Sequence, residues 1–141
     1  MIYYLDSSLL VKRFVREEGS PRVRQLARTA RLATSTLASV EVRSAIGRLL
    51  REGALDEDVA EKALSRVALV WKELLLIEPR AKTLATAGEL VVRHPLRAYD
   101  AVHLASALRL KHDAAVAVTF GCADAALARA AKAEGLRVLG A

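Results

Sequence analysis

At 141 residues the chain has the length of one ordinary domain, long enough to bury a core without staples, so a single domain over 1–141 is expected. No apolar run approaches the roughly 20 residues that span a bilayer, and the start Met1-Ile2-Tyr3-Tyr4-Leu5-Asp6 lacks the basic region and apolar stretch of a signal peptide; a soluble cytoplasmic protein is expected. The net charge of +6 suits a polyanionic partner, and the single cysteine, Cys122, excludes an intrachain disulfide and agrees with a reducing compartment.

The chain reads as alternating elements without linkers or repeats. A strand over 2–5 is followed by a helix from Ser7 or Ser8 to about Arg16, with Leu10, Val11, Phe14 and Val15 on its apolar side. Gly19-Ser20-Pro21 ends it, and Pro21 suits the first turn of a helix over 21–30. A short strand, 32–36, leads into an amphipathic helix over 37–51, stopped by Gly53. Asp56 caps a helix over 57–73, a strand over 74–77 ends at Pro79, and helices near 80–92 and 98–111 follow. A strand over 114–120, a helix over 124–134 and a strand over 136–139 complete the order. Strands separated by helices imply right-handed crossovers and a three-layer α/β/α fold with a mostly parallel central sheet.

Four acids stand where a carboxylate is awkward for folding. Asp6 and Asp124 each follow an apolar run read as a strand, and Glu41 and Asp100 lie near the starts of apolar helices. In an open α/β sheet, strand ends and the helix starts that follow them border one crevice. The spacing of Leu37, Glu41 and Ala45 puts Glu41 in an apolar column that faces the sheet. Singly, Asp6, Asp100 and Asp124 have simpler readings as turn, cap or helix-start residues. Together, four carboxylates in one pocket carry a formal charge of about −4 and call for bound cations, since like charges a few Å apart raise each other's pKa. Hard divalent metals meet that need.

The residues at these positions resemble a known family. The segments Tyr4-Leu5-Asp6-Ser7-Ser8, Ser39-Val40-Glu41-Val42-Arg43-Ser44-Ala45, the run from Leu96 through Tyr99-Asp100-Ala101-Val102-His103 to Leu108, and Asp124-Ala125-Ala126-Leu127-Ala128 are similar to the four signature blocks of the PIN domain. The length and the lack of further domains most resemble the VapC toxins of prokaryotic toxin–antitoxin pairs. The resemblance implies a Mg²⁺- or Mn²⁺-dependent ribonuclease acting on RNA, with Asp6, Glu41, Asp100 and Asp124 as the acidic quartet that holds the metal. It implies further a VapB-like antitoxin lying over the acidic crevice, and a homodimer, for which Val67, Val70 and Trp71 are candidate interface residues, with core packing the alternative role for at least one of them. Family members commonly carry Ser or Thr where this chain has Cys122, which puts a hydroxyl contact in question.

Several other residues have two readings. Ser7 can bond a carboxylate or phosphate, or cap the first helix. Lys12 and Arg13, with Arg16, Arg22, Arg24, Arg28 and Arg31, can track an RNA backbone or be solvated helix faces. His103, one turn after Asp100, reads as a satisfied core histidine before a general base, and His94 and His112 show no partner in the sequence. A haloacid-dehalogenase-like phosphatase needs an Asp where Ser8 stands, and a receiver needs paired acids near the first strand end. The surviving alternative to a nuclease is a PIN-like module that binds RNA or protein without cutting.

Overall fold

The computed structural model describes residues 1–139, and among them five parallel strands form one sheet in the order β3-β2-β1-β4-β5. The strands are β1 (Ile2–Leu5), β2 (Arg31–Ser35), β3 (Leu75–Ile77), β4 (Val118–Gly121) and β5 (Arg137–Val138). The helices are α1 (Ser7–Leu10), α2 (Ser20–Thr29), α3 (Ala38–Arg51), α4 (Glu57–Trp71), α5 (Ala81–Arg93), α6 (Ala98–Ala114) and α7 (Ala125–Ala133), with a 3-10 turn at Val11–Arg13. No helix among the described residues is long and apolar enough to cross a membrane.

Alternation along the strands divides the interior into two cores, which gives the three layers expected from the sequence. Leu5 and Leu32 point to one face, where they meet Leu10, Phe14, Val23, Val42, Ile46 and Val67 from α1 to α4 and the turn between. Tyr4, Ala33, Val118 and Phe120 point to the other, against Leu90 of α5, Leu104 of α6 and Leu127 of α7. Val67 is therefore core, and Val70 and Trp71 are partly buried against it. Tyr4 stacks on Phe120 with ring centroids 5.7 Å apart. The small residues of α6, Ala101, Ala105 and Ala107, are all buried, as the composition of that helix demands.

Two boundaries differ from the sequence reading. The first helix ends at Leu10 and passes through the 3-10 turn rather than running to Arg16. Phe14 and Val15 instead turn inward, and the chain is tied off by buried Ser20, whose hydroxyl donates to the Val15 carbonyl at 2.9 Å and accepts from the Glu17 amide at 3.0 Å. Residues 114–117 are not strand. Helix α6 continues to Ala114 and stops where Ala115 turns left-handed, with φ 51°. Alanine is the strongest helix former, and β1 offers partners only for Val118 to Gly121, so the apolar run before Val118 has no ladder to join.

The break in strand order places β1 beside β4, with α1 leaving toward one layer and α7 toward the other. Such a divergence opens a crevice at the carboxyl ends of the two strands. Gly121 sets how closely α1 sits over it: a Cβ there would stand 2.7 Å from Leu9 Cδ2 and 2.8 Å from Leu5 Cδ2. Gly121→Ala is expected to destabilise the protein by about 1–3 kcal/mol, the cost of overpacking, because Leu5 is fully buried. Urea denaturation checks this, and an unchanged midpoint would mean that α1 shifts freely.

Candidate active site

The crevice is built by four elements, each delivering one acid. Asp6 follows β1 and caps α1: its Oδ1 accepts from the Leu9 amide at 3.0 Å and from the Ser8 hydroxyl at 2.7 Å. Asp124 follows β4 and caps α7 in the same manner, its Oδ1 accepting from the Ala126 and Leu127 amides at 2.7 and 3.3 Å. Both are thus helix caps, as the simpler reading held, yet the capping bonds engage Oδ1 alone. The loops that carry them are joined: the Asp6 amide donates to the Gly121 carbonyl at 3.0 Å and the Ala123 amide to the Ser8 hydroxyl at 3.2 Å.

Glu41 and Asp100 come from the first turns of α3 and α6. The buried column of α3 is Ala38, Val42 and Ile46, so Glu41 stands at its edge rather than within it, with 22% of its side chain exposed. That position opens onto the crevice. Asp6, Glu41, Asp100 and Asp124 all line one cavity with Ser7, Ser8, Arg97, Tyr99 and Ala123. A second groove adjoins it and shares Ser7, Ser8, Glu41, Arg97, Tyr99 and Ala123, adding Lys12 and Arg48 along its wall.

Charge in the cavity is uneven. Asp6 is only 3% exposed, and burial pushes its carboxyl above the usual carboxylate range; the Ser8 hydrogen bond opposes that rise and the charge of Asp100 adds to it. Arg97 is the cation that answers the acids. Its Nε lies 3.3 Å from Asp100 Oδ2 and its terminal nitrogen 4.0 Å from Asp124 Oδ2, on a side chain 81% exposed. Arg97 falls within the third of the four signature blocks, and its place three residues before Asp100 at a helix start, which puts the two on one side, is the signal that could have found it.

The other expected residues divide. Ser7 lines the cavity and Lys12 the adjoining groove, where the Lys12 amine also donates to the Glu18 carbonyl at 2.6 Å and pairs with Glu17 at 3.4 Å. Arg13 is turned away from the cavity and pairs with Glu73, just past α4, at 3.5 Å. Cys122 does not line the cavity either. Its Sγ donates to the Asp124 carbonyl at 3.3 Å, and burial first, then the charge of Asp6, holds the thiol up at about 12. It is a loop tie in place of a hydroxyl contact. His103 is 1% exposed, with Nε2 2.6 Å from Glu41 Oε1 and Nδ1 2.8 Å from the Tyr4 hydroxyl. It is a satisfied core histidine, and its partner is one of the four acids. His94 lies 3.0 Å from Glu134 and His112 3.1 Å from Asp113, and neither lines the cavity.

The donor set facing the cavity is four carboxylates and two serine hydroxyls, with no thiolate, which is the oxygen chemistry of a hard divalent cation. Among the described residues no three His, Cys, Asp or Glu groups stand close enough to enclose an ion, and Arg97 is the positive charge that lies against two of the acids.

Known proteins share both the sequence and the architecture. The chain is 35% identical over 137 residues to Ribonuclease VapC46 of Mycobacterium tuberculosis, an alignment that takes in 96% of this chain and 95% of that protein. In fold it is similar to VapBC2 from Rickettsia felis bound to a promoter DNA fragment, with TM-score 0.67 and 16% identity over 99% of this chain and 98% of that one. It is similar too to VapC20 of M. tuberculosis, described as a Sarcin-Ricin loop cleaving toxin, with TM-score 0.65 and 16% identity over 95% of both chains. The PIN domain family model matches residues 3–133, a span that begins in β1, ends with α7 and contains all four cavity acids. With that match over nearly its whole length, and with the VapC relative aligned end to end, the chain belongs to the PIN-domain family, in its VapC branch.

Proposed function

We propose that the protein is an endoribonuclease that hydrolyses RNA phosphodiester bonds with Mg²⁺ or Mn²⁺, and that it is the toxin of a pair whose antitoxin is VapB-like. The observation that carries this reading is the convergence of Asp6, Glu41, Asp100 and Asp124, from four separate elements, on one cavity at the switch point of the sheet. The relative named as a ribonuclease aligns over 96% of the chain, which supports the same activity here.

The four carboxylates line the cavity without closing around an ion as they stand, and they would hold the cation by drawing in toward it, Asp6 and Asp124 through the oxygens that their capping bonds leave over. A divalent cation, when bound, supplies Lewis-acid activation and neutralises charge at the phosphoryl centre. The caps fix two of the acids to backbone amides, so their positions do not have to be organised when substrate arrives. Ser7 offers a hydroxyl to a phosphate oxygen beside the acids, whereas the Ser8 hydroxyl hydrogen is already given to Asp6. Lys12, Arg48 and Arg97 along the joined grooves attract the RNA backbone toward a cavity that would otherwise repel it.

The protein is expected to cleave RNA in Mg²⁺ or Mn²⁺ and to stop when EDTA is added. RNA binding without cleavage in either metal would overturn the nuclease and leave the non-cutting PIN-like module. Arg97 gives a second test, because its charge competes with a cation for Asp100 and Asp124 and also faces substrate. Arg97→Ala is expected to tighten Mn²⁺ binding, weaken RNA binding, and change stability by less than about 1 kcal/mol, as befits an exposed ion pair. Calorimetric titration with Mn²⁺ reads the first effect, and weaker Mn²⁺ binding would contradict it.

For partners, a homodimer and a VapB-like antitoxin are the expectation of the VapC branch. The antitoxin would lie along the groove between the 3-10 turn and α3, where Val40 and Tyr99 expose apolar surface beside Lys12, Arg48 and Arg97.

A further inference from the structure

Three of the cavity acids are held in place by groups already described. Asp6 and Asp124 are pinned by the amides of the helices they cap, and Asp100 lies against Arg97. Glu41 has the longest side chain of the four and sits on α3 with no capping task. Its partner comes from another helix: His103 of α6, whose Nε2 approaches Oε1 to 2.6 Å. Behind His103 stands the Tyr4 hydroxyl, 2.8 Å from Nδ1. The chain of contacts runs from the sheet core to the cavity wall, and its two inner members are buried at 0% and 1% exposure among alanines and leucines. A leucine at position 103 would take this partner from both the buried Tyr4 hydroxyl and Glu41, so the histidine is explained by the two polar groups it joins rather than by packing.

The direction of the bonds follows from the groups present. Where the Glu41 carboxylate accepts, Nε2 carries the hydrogen, and in a neutral imidazole Nδ1 is then the acceptor for the Tyr4 hydroxyl. With Oε1 committed to His103, Oε2 is the oxygen left to face a ligand. This arrangement resembles in its logic the outer-sphere hydrogen bonds that orient the ligands of metal sites.

We infer that His103 is a positioning residue for the proposed cation site: it fixes one rotamer of Glu41 through the Nε2–Oε1 hydrogen bond, and Tyr4 fixes the tautomer of His103. The inference rests on the nuclease reading in that it counts Glu41 among the acids that hold the cation.

The test is Mn²⁺ binding by calorimetry on the full chain, with circular dichroism melts on every variant. His103→Leu is expected to weaken Mn²⁺ binding by about 10- to 100-fold. His103→Gln, which places an amide donor near the Nε2 position, is expected to recover most of the loss, whereas His103→Asn, too short to reach Glu41, is not. Tyr4→Phe gives a smaller loss than His103→Leu. The decisive arm uses Glu41→Gln as background: adding His103→Leu there should cost no further affinity, since the effect passes through Glu41. Equal Mn²⁺ binding by wild type and His103→Leu would overturn the positioning role, as would a loss of the same size in the Glu41→Gln background, which would mark a general effect on the fold. If His103→Leu does not fold, the comparison of Gln with Asn decides, and equal affinities for these two overturn the inference. Failure of the wild type itself to bind Mn²⁺ would instead remove the cation site, and the nuclease reading with it.

Discussion

Asp6→Asn and Asp100→Asn are each expected to reduce RNA cleavage in Mg²⁺ or Mn²⁺ by about 100-fold or more while the protein stays folded. The substitution is informative because of what it preserves. Asparagine keeps the volume of aspartate and caps a helix as well as aspartate does, so at position 6 the bonds from the Leu9 amide and the Ser8 hydroxyl to Oδ1 can persist. What disappears is the negative charge and one anionic oxygen. If Asp6 were a cap and nothing more, cleavage would survive. Asp100 has no cap to keep, and its loss of charge releases Arg97 from the cavity wall. Cleavage assays on purified variants, with circular dichroism to confirm folding, check both. Unchanged rates in the two variants would mean that Asp6 at the end of β1 and Asp100 at the start of α6 are structural and that any nuclease activity lies elsewhere.

The layers and the acids were legible in the sequence for one shared reason. Strands such as Ile2–Leu5 are short apolar runs closed by a polar residue, and a parallel strand buried on both faces has to look that way. The acid that closes each run then falls at the carboxyl end of the sheet without further information. The order of strands was not legible, because nothing in the composition of β4 says that it pairs with β1 rather than with β3. The end of α6 was misplaced for a related reason: Ala114 to Ala117 is apolar enough for a strand, and only the four-residue length of β1 limits the ladder to Val118–Gly121. The least legible feature was the coupling of Glu41 to His103. The two residues are 62 positions apart, and each alone has an adequate local explanation. A signal existed in the spacing, since His103 lies three residues after Asp100 on the same helix and so shares its side, but the partner on α3 emerges only when the helices are assembled. Arg13 shows the converse. Charge and proximity to Asp6 in sequence suggested a substrate contact, and the 3-10 turn rotates it toward Glu73 instead.

Stability measured with and without metal is expected to separate the site from a set of caps. In the metal-free protein Asp6 is buried and its folded-state pKa is raised above the unfolded value, by burial first and by Asp100 among the charges that add to it. Folding therefore favours the protonated form, and at neutral pH the ionised carboxylate costs stability. Asp6→Asn removes that cost and keeps the cap, so it should raise metal-free stability by about 1 kcal/mol, an increase in Tm of about 3 °C. Asp100→Asn should raise it less, because Asp100 also loses its contact with Arg97. The sign of the pH dependence follows: as pH falls through the raised pKa of Asp6 the wild type takes up a proton and sheds the penalty, so the gap between wild type and Asp6→Asn narrows in acid and is widest at neutral pH. Metal acts unequally on the two proteins. A cation bound only by the folded state stabilises the wild type by about 2.7 kcal/mol at a hundred times its Kd, and should stabilise Asp6→Asn far less. Added Mn²⁺ thus reverses the order of the two melting temperatures. If Asp6 served only to cap α1, asparagine would leave the metal-induced shift where it is, and an intact shift in Asp6→Asn would refute its place among the cation's ligands.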